Sequence, residues 1–181
     1  MGQMKHKINA LWDNIFRQEE DPRKQGLINI LRKVPLFAEL SRGELKKVSK
    51  IIHERQYSKG EYLFRMGDPG AAMFIVRAGQ IDIVLPNDEA QDFVLASLGT
   101  GSFLGELALL DDSPRSASAI APTETMALAF FRADLNKLIE TEAHIGSKIL
   151  KELALIIGKR LKITNDQLYS SKGEDKESDA S

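Results

Sequence analysis

A chain of 181 residues with 43% hydrophobic content can bury one ordinary core but not two large ones. Its formal charge of −1 supplies no overall attraction for a polyanion, and the absence of cysteine excludes disulfides, thiolate-held metals and cysteine-ligated iron–sulfur clusters. His6, His53 and His144 stand far apart without ligand-like spacing, so ordinary surface or half-buried roles are expected and no metal or cofactor site.

The N-terminus lacks the uninterrupted apolar segment of a signal peptide, and no apolar run approaches the roughly 20 residues of a membrane-spanning helix. Met1-Gly2 resembles a myristoylation start, but His6 stands where that motif carries Ser or Thr. A cytoplasmic protein without a transmembrane segment is therefore expected.

Residues 1–25 read as an amphipathic helical arm. Met4, Ile8, Leu11 and Ile15 recur at alternating four- and three-residue steps, with Trp12 and Phe16 beside them. Asp21-Pro22 ends the arm, because proline disfavours helix in the residue before it. Two roles stay open for its apolar stripe: packing back on the rest of the protein, or offering a surface to an unidentified protein partner.

Next, Ser41-Arg42-Gly43-Glu44 has the capping-box pattern and starts a helix with Leu45, Val48, Ile51 and Ile52 at helical spacing. Short β-branched and aromatic runs follow at 53–57, 61–66, 72–77, 80–85, 92–98, 117–121 and 124–131, punctuated by Gly60, Gly67, Gly70 and Gly79 at their corners. This pattern predicts a mainly β fold with flanking α: an antiparallel jelly-roll (double-stranded β-helix) barrel with N-terminal helices and a long C-terminal helix.

Between the last two strands and the others lie Gly105-Glu106-Leu107-Ala108-Leu109 and Pro114-Arg115-Ser116-Ala117. Arg115 is an always-charged planar donor suited to a phosphodiester. Glu106 to Leu110 reads as one helical turn, whose first N–H groups have no partner within the turn, and glycine ahead of it lets a ligand approach the backbone. Glu106 would repel a phosphate, but it is the right acceptor for a sugar hydroxyl. The bland alternative is a pair of solvated surface charges nine positions apart.

These residues resemble the phosphate-binding cassette of the cyclic nucleotide-binding domain family. The resemblance covers residues 26–168 and includes Val34-Pro35-Leu36-Phe37, Tyr57, Lys59-Gly60-Glu61, Gly67-Asp68, Met73-Phe74-Ile75-Val76 and Gly79. It implies a ligand site at Leu104, Gly105, Glu106, Leu107, Ala108, Arg115, Ser116 and Ala117. In the family a Thr after the cassette arginine accompanies cGMP preference, whereas Ala or Ser is usual in cAMP binders. Ser116 thus implies cAMP, with cGMP as the other possibility.

Arg132 to Leu168 reads as helical with two apolar stripes, one through Leu150, Ala154, Ile157, Leu161, Thr164 and Leu168, the other through Ile149, Leu153, Ile156 and Ile163. Packing on one barrel face needs a single stripe, so a homodimer through a parallel helix seam is expected. Lys159-Arg160-Leu161-Lys162-Ile163-Thr164-Asn165 resembles the dimer helix of the bacterial catabolite activator branch of the family. That likeness adds Arg160, Thr164 and Asn165 to the ligand set, with Thr164 reading adenine in its own subunit and Asn165 approaching the base across the dimer. Asn165 stands where the activator has Ser, and Thr164 is equally readable as a polar residue that sets the register of a coiled coil.

Tyr169 to Ser181 are rich in Ser, Asp, Glu and Lys, and read as a disordered acidic tail too short for a winged helix-turn-helix. No nucleic-acid partner is expected, unless the sequence is a piece of a longer protein. Nothing resembles a nucleophile with its base and orienting group, so an enzyme is not expected either. Two functions remain: a cyclic nucleotide sensor that regulates a partner through movement of its C-terminal helix, or a constitutive dimeric scaffold whose pocket is empty or holds another ligand.

Overall fold

The computed structural model describes residues 22–87 and 92–178 of the chain, with side chains from 26 to 87 and from 92 to 166. Helices α1 (Pro22–Leu31) and α2 (Arg42–Val48) precede eight strands, β1 (His53–Tyr57), β2 (Tyr62–Phe64), β3 (Ala72–Ala78), β4 (Gln80–Leu85), β5 (Phe93–Gly99), β6 (Phe103–Leu104), β7 (Ser118–Ile120) and β8 (Thr125–Phe131). Helices α3 (Arg132–Thr141) and α4 (Ala143–Ser178) close the chain. The strands form two antiparallel four-stranded sheets, ordered β1-β8-β3-β6 and β2-β7-β4-β5, which is the expected jelly roll.

Strands β3 and β8 explain why their sequences are apolar almost throughout: they are covered on both faces. Successive strand residues point to opposite sides. Met73 and Ile75 of β3 and Leu128 and Phe130 of β8 therefore face a cluster with Leu31, Phe37, Leu45, Leu135, Ile149 and Leu153 from the helical layer. Their neighbours Phe74, Val76, Ala127 and Ala129 face the other way, into the barrel interior with Tyr57, Ile81, Leu104 and Ala119. Phe37, carried by a short 3₁₀ turn at Pro35–Phe37, meets Phe130 edge to face with ring centroids 5.8 Å apart.

The ends of the chain depart from the expected boundaries. The arm expected over residues 1–25 falls, up to residue 21, outside the described residues, and Pro22 opens a helix rather than only closing one. Proline suits a first helical position, where its missing N–H has no partner to lose. The single helix expected over 132–168 is two helices, broken at Glu142, whose backbone leaves helical geometry at φ −139° and ψ 56°. Gly146 packs against Ile139 across this break so closely that a Cβ would lie 2.8 Å from the Ile139 Cα. No proline interrupts α4 after Ile156, and its backbone continues as helix past the expected end at Leu168 to Ser178.

Helices α2 and α4 are tied by ions as well as by the shared core. Glu44, with its capping box to Ser41 in place, also accepts from Lys148 Nζ at 3.0 Å. Lys47 donates to Glu142 at 2.6 Å, at the break between α3 and α4. The Ser41 main-chain N–H and the Lys148 ammonium hold the Glu44 carboxyl down at about 2, against 4.5 ordinarily.

A carboxyl whose folded pKa is depressed contributes stability that is complete above its unfolded value and disappears as pH falls through the folded one. Glu44 should accordingly supply part of the acid limb of the stability curve between pH 4.5 and about 2. Glu44→Gln should flatten that limb while costing roughly 1.5–3 kcal/mol near neutrality, the range for hydrogen bonds to charged groups. Urea unfolding at a series of pH values checks both; parallel curves for parent and variant would remove Glu44 from the account.

Candidate functional site

A cavity of 440 Å³ opens beside β6 and the segment that follows it. Its floor is a 3₁₀ turn, Glu106–Leu109, entered from Gly105 in the left-handed conformation at φ 70°. Glycine is required here twice over. An L-residue pays for that φ, and a Cβ on Gly105 would lie 2.5 Å from Nη1 of Arg115.

Arg115 is held from both ends. Its backbone N–H donates to the Asp68 carbonyl at 2.8 Å and its carbonyl accepts from Gly67 N–H at 2.9 Å, so the turn after β2 clamps the main chain. The Asp68 carboxylate braces that turn by accepting from Arg65 N–H at 2.7 Å. At the other end Nη2 donates to the Ala72 carbonyl at 2.6 Å and Nη1 to the Gly105 carbonyl at 3.3 Å. Burial pushes the guanidinium pKa down, against the pull of Asp68 and Glu106; arginine remains charged at any relevant pH.

Glu106 is only 4% exposed, and its Oε1 accepts from Arg160 Nη1 of α4 at 2.6 Å. Arg160 also lies over the Phe103 ring, 5.2 Å from its centroid. Two buried polar atoms on the cavity residues have no hydrogen-bond partner: Oε2 of Glu106 and Nε of Arg115. A buried acceptor and a buried charged donor left unmatched are costly, and both stand on residues that line the cavity.

Nine of the residues expected in the site line this cavity: Leu104, Gly105, Glu106, Leu107, Ala108, Arg115, Ser116, Ala117 and Arg160. Thr164 and Asn165 do not. Both are exposed, and the Thr164 hydroxyl donates to the Arg160 carbonyl one turn back in α4 at 3.0 Å. Sequence reasoning missed the walls, Phe64, Ile83, Ala96, Leu98 and Phe103, and the rim residues Asp111 and Ser113. The alternation of β2, β4 and β5 marks such positions as facing one side, but only the closed sandwich tells which side holds the cavity. Among the described residues there is no group of three or more His, Asp or Glu able to hold a metal.

The expected helix seam is divided. Ile149 and Leu153 are buried, and Leu150, Ile156 and Ile157 pack at least partly on the chain's own core, whereas Leu161 and Ile163 remain exposed, as does Leu155, which belongs to neither stripe. No described helix is long and apolar enough to cross a membrane.

Comparison with known proteins agrees with this geometry. Residues 54–142 match the model of the cyclic nucleotide-binding domain. The cyclic AMP receptor protein of Thermus thermophilus is 34% identical over 128 residues, 71% of this chain and 57% of that protein. The N-terminal domain of a transcriptional regulator from Streptomyces coelicolor superposes with a TM-score of 0.66 at 29% identity, over 77% of this chain and 94% of that one. The regulatory domain of Toxoplasma gondii PKA, solved with cAMP, has a TM-score of 0.59 at 29% identity, over 65% of this chain and 45% of that one. The chain spans 31% to 57% of the length of three curated relatives that it matches.

The Gly105–Arg115 contact can be weighed directly. Gly105→Ala should destabilise the protein by about 1–3 kcal/mol, from the left-handed φ and the displaced guanidinium together. In an Arg115→Ala background the second contribution is gone, so the same change should cost measurably less. Equal costs in the two backgrounds, measured by denaturant unfolding, would show that the side chains do not meet.

Proposed function

Residues 54–142 make this chain a member of the cyclic nucleotide-binding domain family, and we propose that it binds a cyclic nucleotide, cAMP before cGMP, and regulates a partner through the position of α4. The observation that carries this reading is the pair of unpartnered buried atoms, Glu106 Oε2 and Arg115 Nε, on residues lining one cavity. In it, Arg115 and the first N–H groups of the 3₁₀ turn take the phosphodiester, and the Glu106 carboxylate accepts from a ribose hydroxyl. The cavity falls within the roughly 300–1,000 Å³ of ordinary small-molecule sites. Support for cAMP comes from Ser116 after Arg115 and from two relatives, one named a cyclic AMP receptor protein and one solved with cAMP.

The output follows from where Glu106 is tied. Arg160 on α4 pairs with the carboxylate that the sugar would use, so the helix and the ligand act on one group. A ligand that binds better to one placement of α4 shifts the population toward it, with a coupling on the order of 1–3 kcal/mol. The role is binding and regulation rather than catalysis. A homodimer through the stripe of Ile157, Leu161 and Thr164, in which Leu161 and Thr164 are exposed, fits the same scheme, and in that dimer Thr164 and Asn165 are the candidates for contact with the base. The same exposed residues favour the second reading, a constitutive dimeric scaffold, which differs in having no nucleotide response.

Titration calorimetry with cAMP and cGMP separates the two. Arg115→Ala should weaken binding by at least ~2 kcal/mol, about thirtyfold, through loss of a charge-assisted contact, and Glu106→Ala should weaken it while leaving a folded protein. Heat of binding that is absent for the parent, or unchanged in both variants, would dismiss the sensor reading.

Assembly and base recognition can be tested apart. Leu161 is 60% exposed, so Leu161→Glu should leave the fold intact and convert a dimer to monomer in sedimentation. Thr164→Val removes only a hydroxyl; if Thr164 reads the base, cAMP affinity should fall about fivefold, the worth of one neutral hydrogen bond, with the dimer unaltered. A changed oligomer at constant affinity would instead make Thr164 a register residue.

A further inference from the structure

A cavity cation needs more than its two carbonyl partners to face an anion in a fixed direction, and here an aromatic ring supplies the third support. The Phe64 ring lies beneath the Arg115 guanidinium, whose central carbon is 4.1 Å from the ring centroid. The ring is itself fixed, partly buried at the end of β2 and tilted against the buried Phe74 of β3 with centroids 5.9 Å apart. Phe64 also begins the turn whose Gly67 and Asp68 clamp the Arg115 backbone. One strand end and the turn after it therefore grip the residue at side chain and main chain together.

We propose that Phe64 is a positioning residue for Arg115, holding the guanidinium plane so that its Nε edge is turned to the cavity and thereby setting the affinity for an anionic phosphodiester. This rests on the cyclic nucleotide reading for its ligand. A guanidinium is planar, with five N–H donors in fixed directions. One N–H of Nη2 goes to the Ala72 carbonyl and one of Nη1 to the Gly105 carbonyl, the ring lies against the group at 4.1 Å, and Nε is its buried atom without a partner. The face of the ring carries negative quadrupole charge, which offsets part of the hydration that a half-buried cation gives up. An aliphatic side chain of similar size keeps the dispersion contact but not this attraction, so the guanidinium plane is held by its two carbonyl bonds alone.

The test has one arm without ligand and one with it. In proton–nitrogen spectra of the parent, assigned by comparison with Arg115→Lys, the Arg115 Nε–H proton should be shifted upfield by the ring current. Phe64→Leu and Phe64→Met should abolish that shift, and Phe64→Tyr should retain it. With cAMP as the probe, Leu and Met should weaken binding about three- to tenfold, as expected for a partly desolvated cation–π contact, whereas binding of uncharged adenosine should change by the same factor in no variant and Tyr should restore cAMP affinity. A resonance that does not respond to Phe64 overturns the proposal whether or not cAMP binds. A resonance that responds while cAMP affinity stays constant overturns it too, as does equal loss of cAMP and adenosine. Failure of the parent to bind any cyclic nucleotide fails the functional reading, and with it the ligand half of this proposal, while the spectra still decide whether Phe64 orients Arg115. If Phe64→Leu does not fold, the unbranched Met variant carries both arms.

Discussion

Keeping the Arg115 guanidinium charged inside a sandwich of apolar sheets is the constraint from which the surrounding structure follows. A buried cation is tolerated only when its donors are matched. The carbonyls of Ala72 and Gly105 match one donor on each Nη and leave Nε open, one carbonyl coming from β3 and one from the entry to the 3₁₀ turn. Their convergence fixes the distance between strand and turn. It also explains why position 105 carries no side chain, since the guanidinium occupies the space a Cβ would take. The turn after β2 then has to reach across to hold residue 115 by its main chain, and a β-bridge between Pro69 and Pro114 extends the same contact. Three segments distant in sequence are thus brought together by the needs of one side chain.

Beyond the barrel, the helices behave as a layer with its own core rather than as separate attachments. Residues of α1, the 3₁₀ turn, α2, α3 and the first half of α4 share one cluster with the outer faces of β3 and β8. Ion pairs at Glu44–Lys148 and Lys47–Glu142 join α2 to the start of α4 and to the break before it. The exposed pair is worth little by itself. Glu44 is different, because its side chain is 14% exposed and it satisfies the α2 N-terminus at the same time. Displacing α4 at this end would cost both the apolar contact and that carboxylate's partner. The first half of α4 is therefore anchored, and freedom lies beyond Ile157, where the described side chains become exposed.

That division also separates what could be read in the sequence from what could not. The strands were legible because each is short, β-branched or aromatic and bounded by glycine, and Gly60, Gly67 and Gly79 do take positive φ at the corners. Gly105, Glu106 and Arg115 were legible because their chemistry is local: a close-approach glycine, an acceptor and a fixed cation within one stretch. The two-residue β6 escaped because a pair of residues carries no periodicity, and the break at Glu142 escaped because no proline or terminal glycine marks it. Phe64 escaped for a different reason. A phenylalanine in a short strand reads as core, and only the assembled sheets show a cation on its face. Thr164 and Asn165 belong to a third class. They lie one turn beyond Arg160, roughly 6 Å further along the helix axis, where both are exposed and outside the lining of the cavity.

Glu106 links the two halves of the molecule more tightly than either clamp alone. Its carboxylate is buried, with Oε1 accepting from a residue of α4 and Oε2 unmatched. A hydroxyl donor arriving at Oε2 completes the carboxylate without displacing Arg160, because each oxygen has lone pairs for its own donor. Withdrawal of α4 would do the reverse, stripping the buried charge of its cation, which is the expensive direction. If the carboxylate is best satisfied with both donors present, the placement of α4 that keeps Arg160 in contact binds the sugar more tightly. By linkage, the sugar then stabilises that placement by the same amount. On the proposed function such a coupling would need no chain of intermediaries, because both effects would meet on one carboxylate.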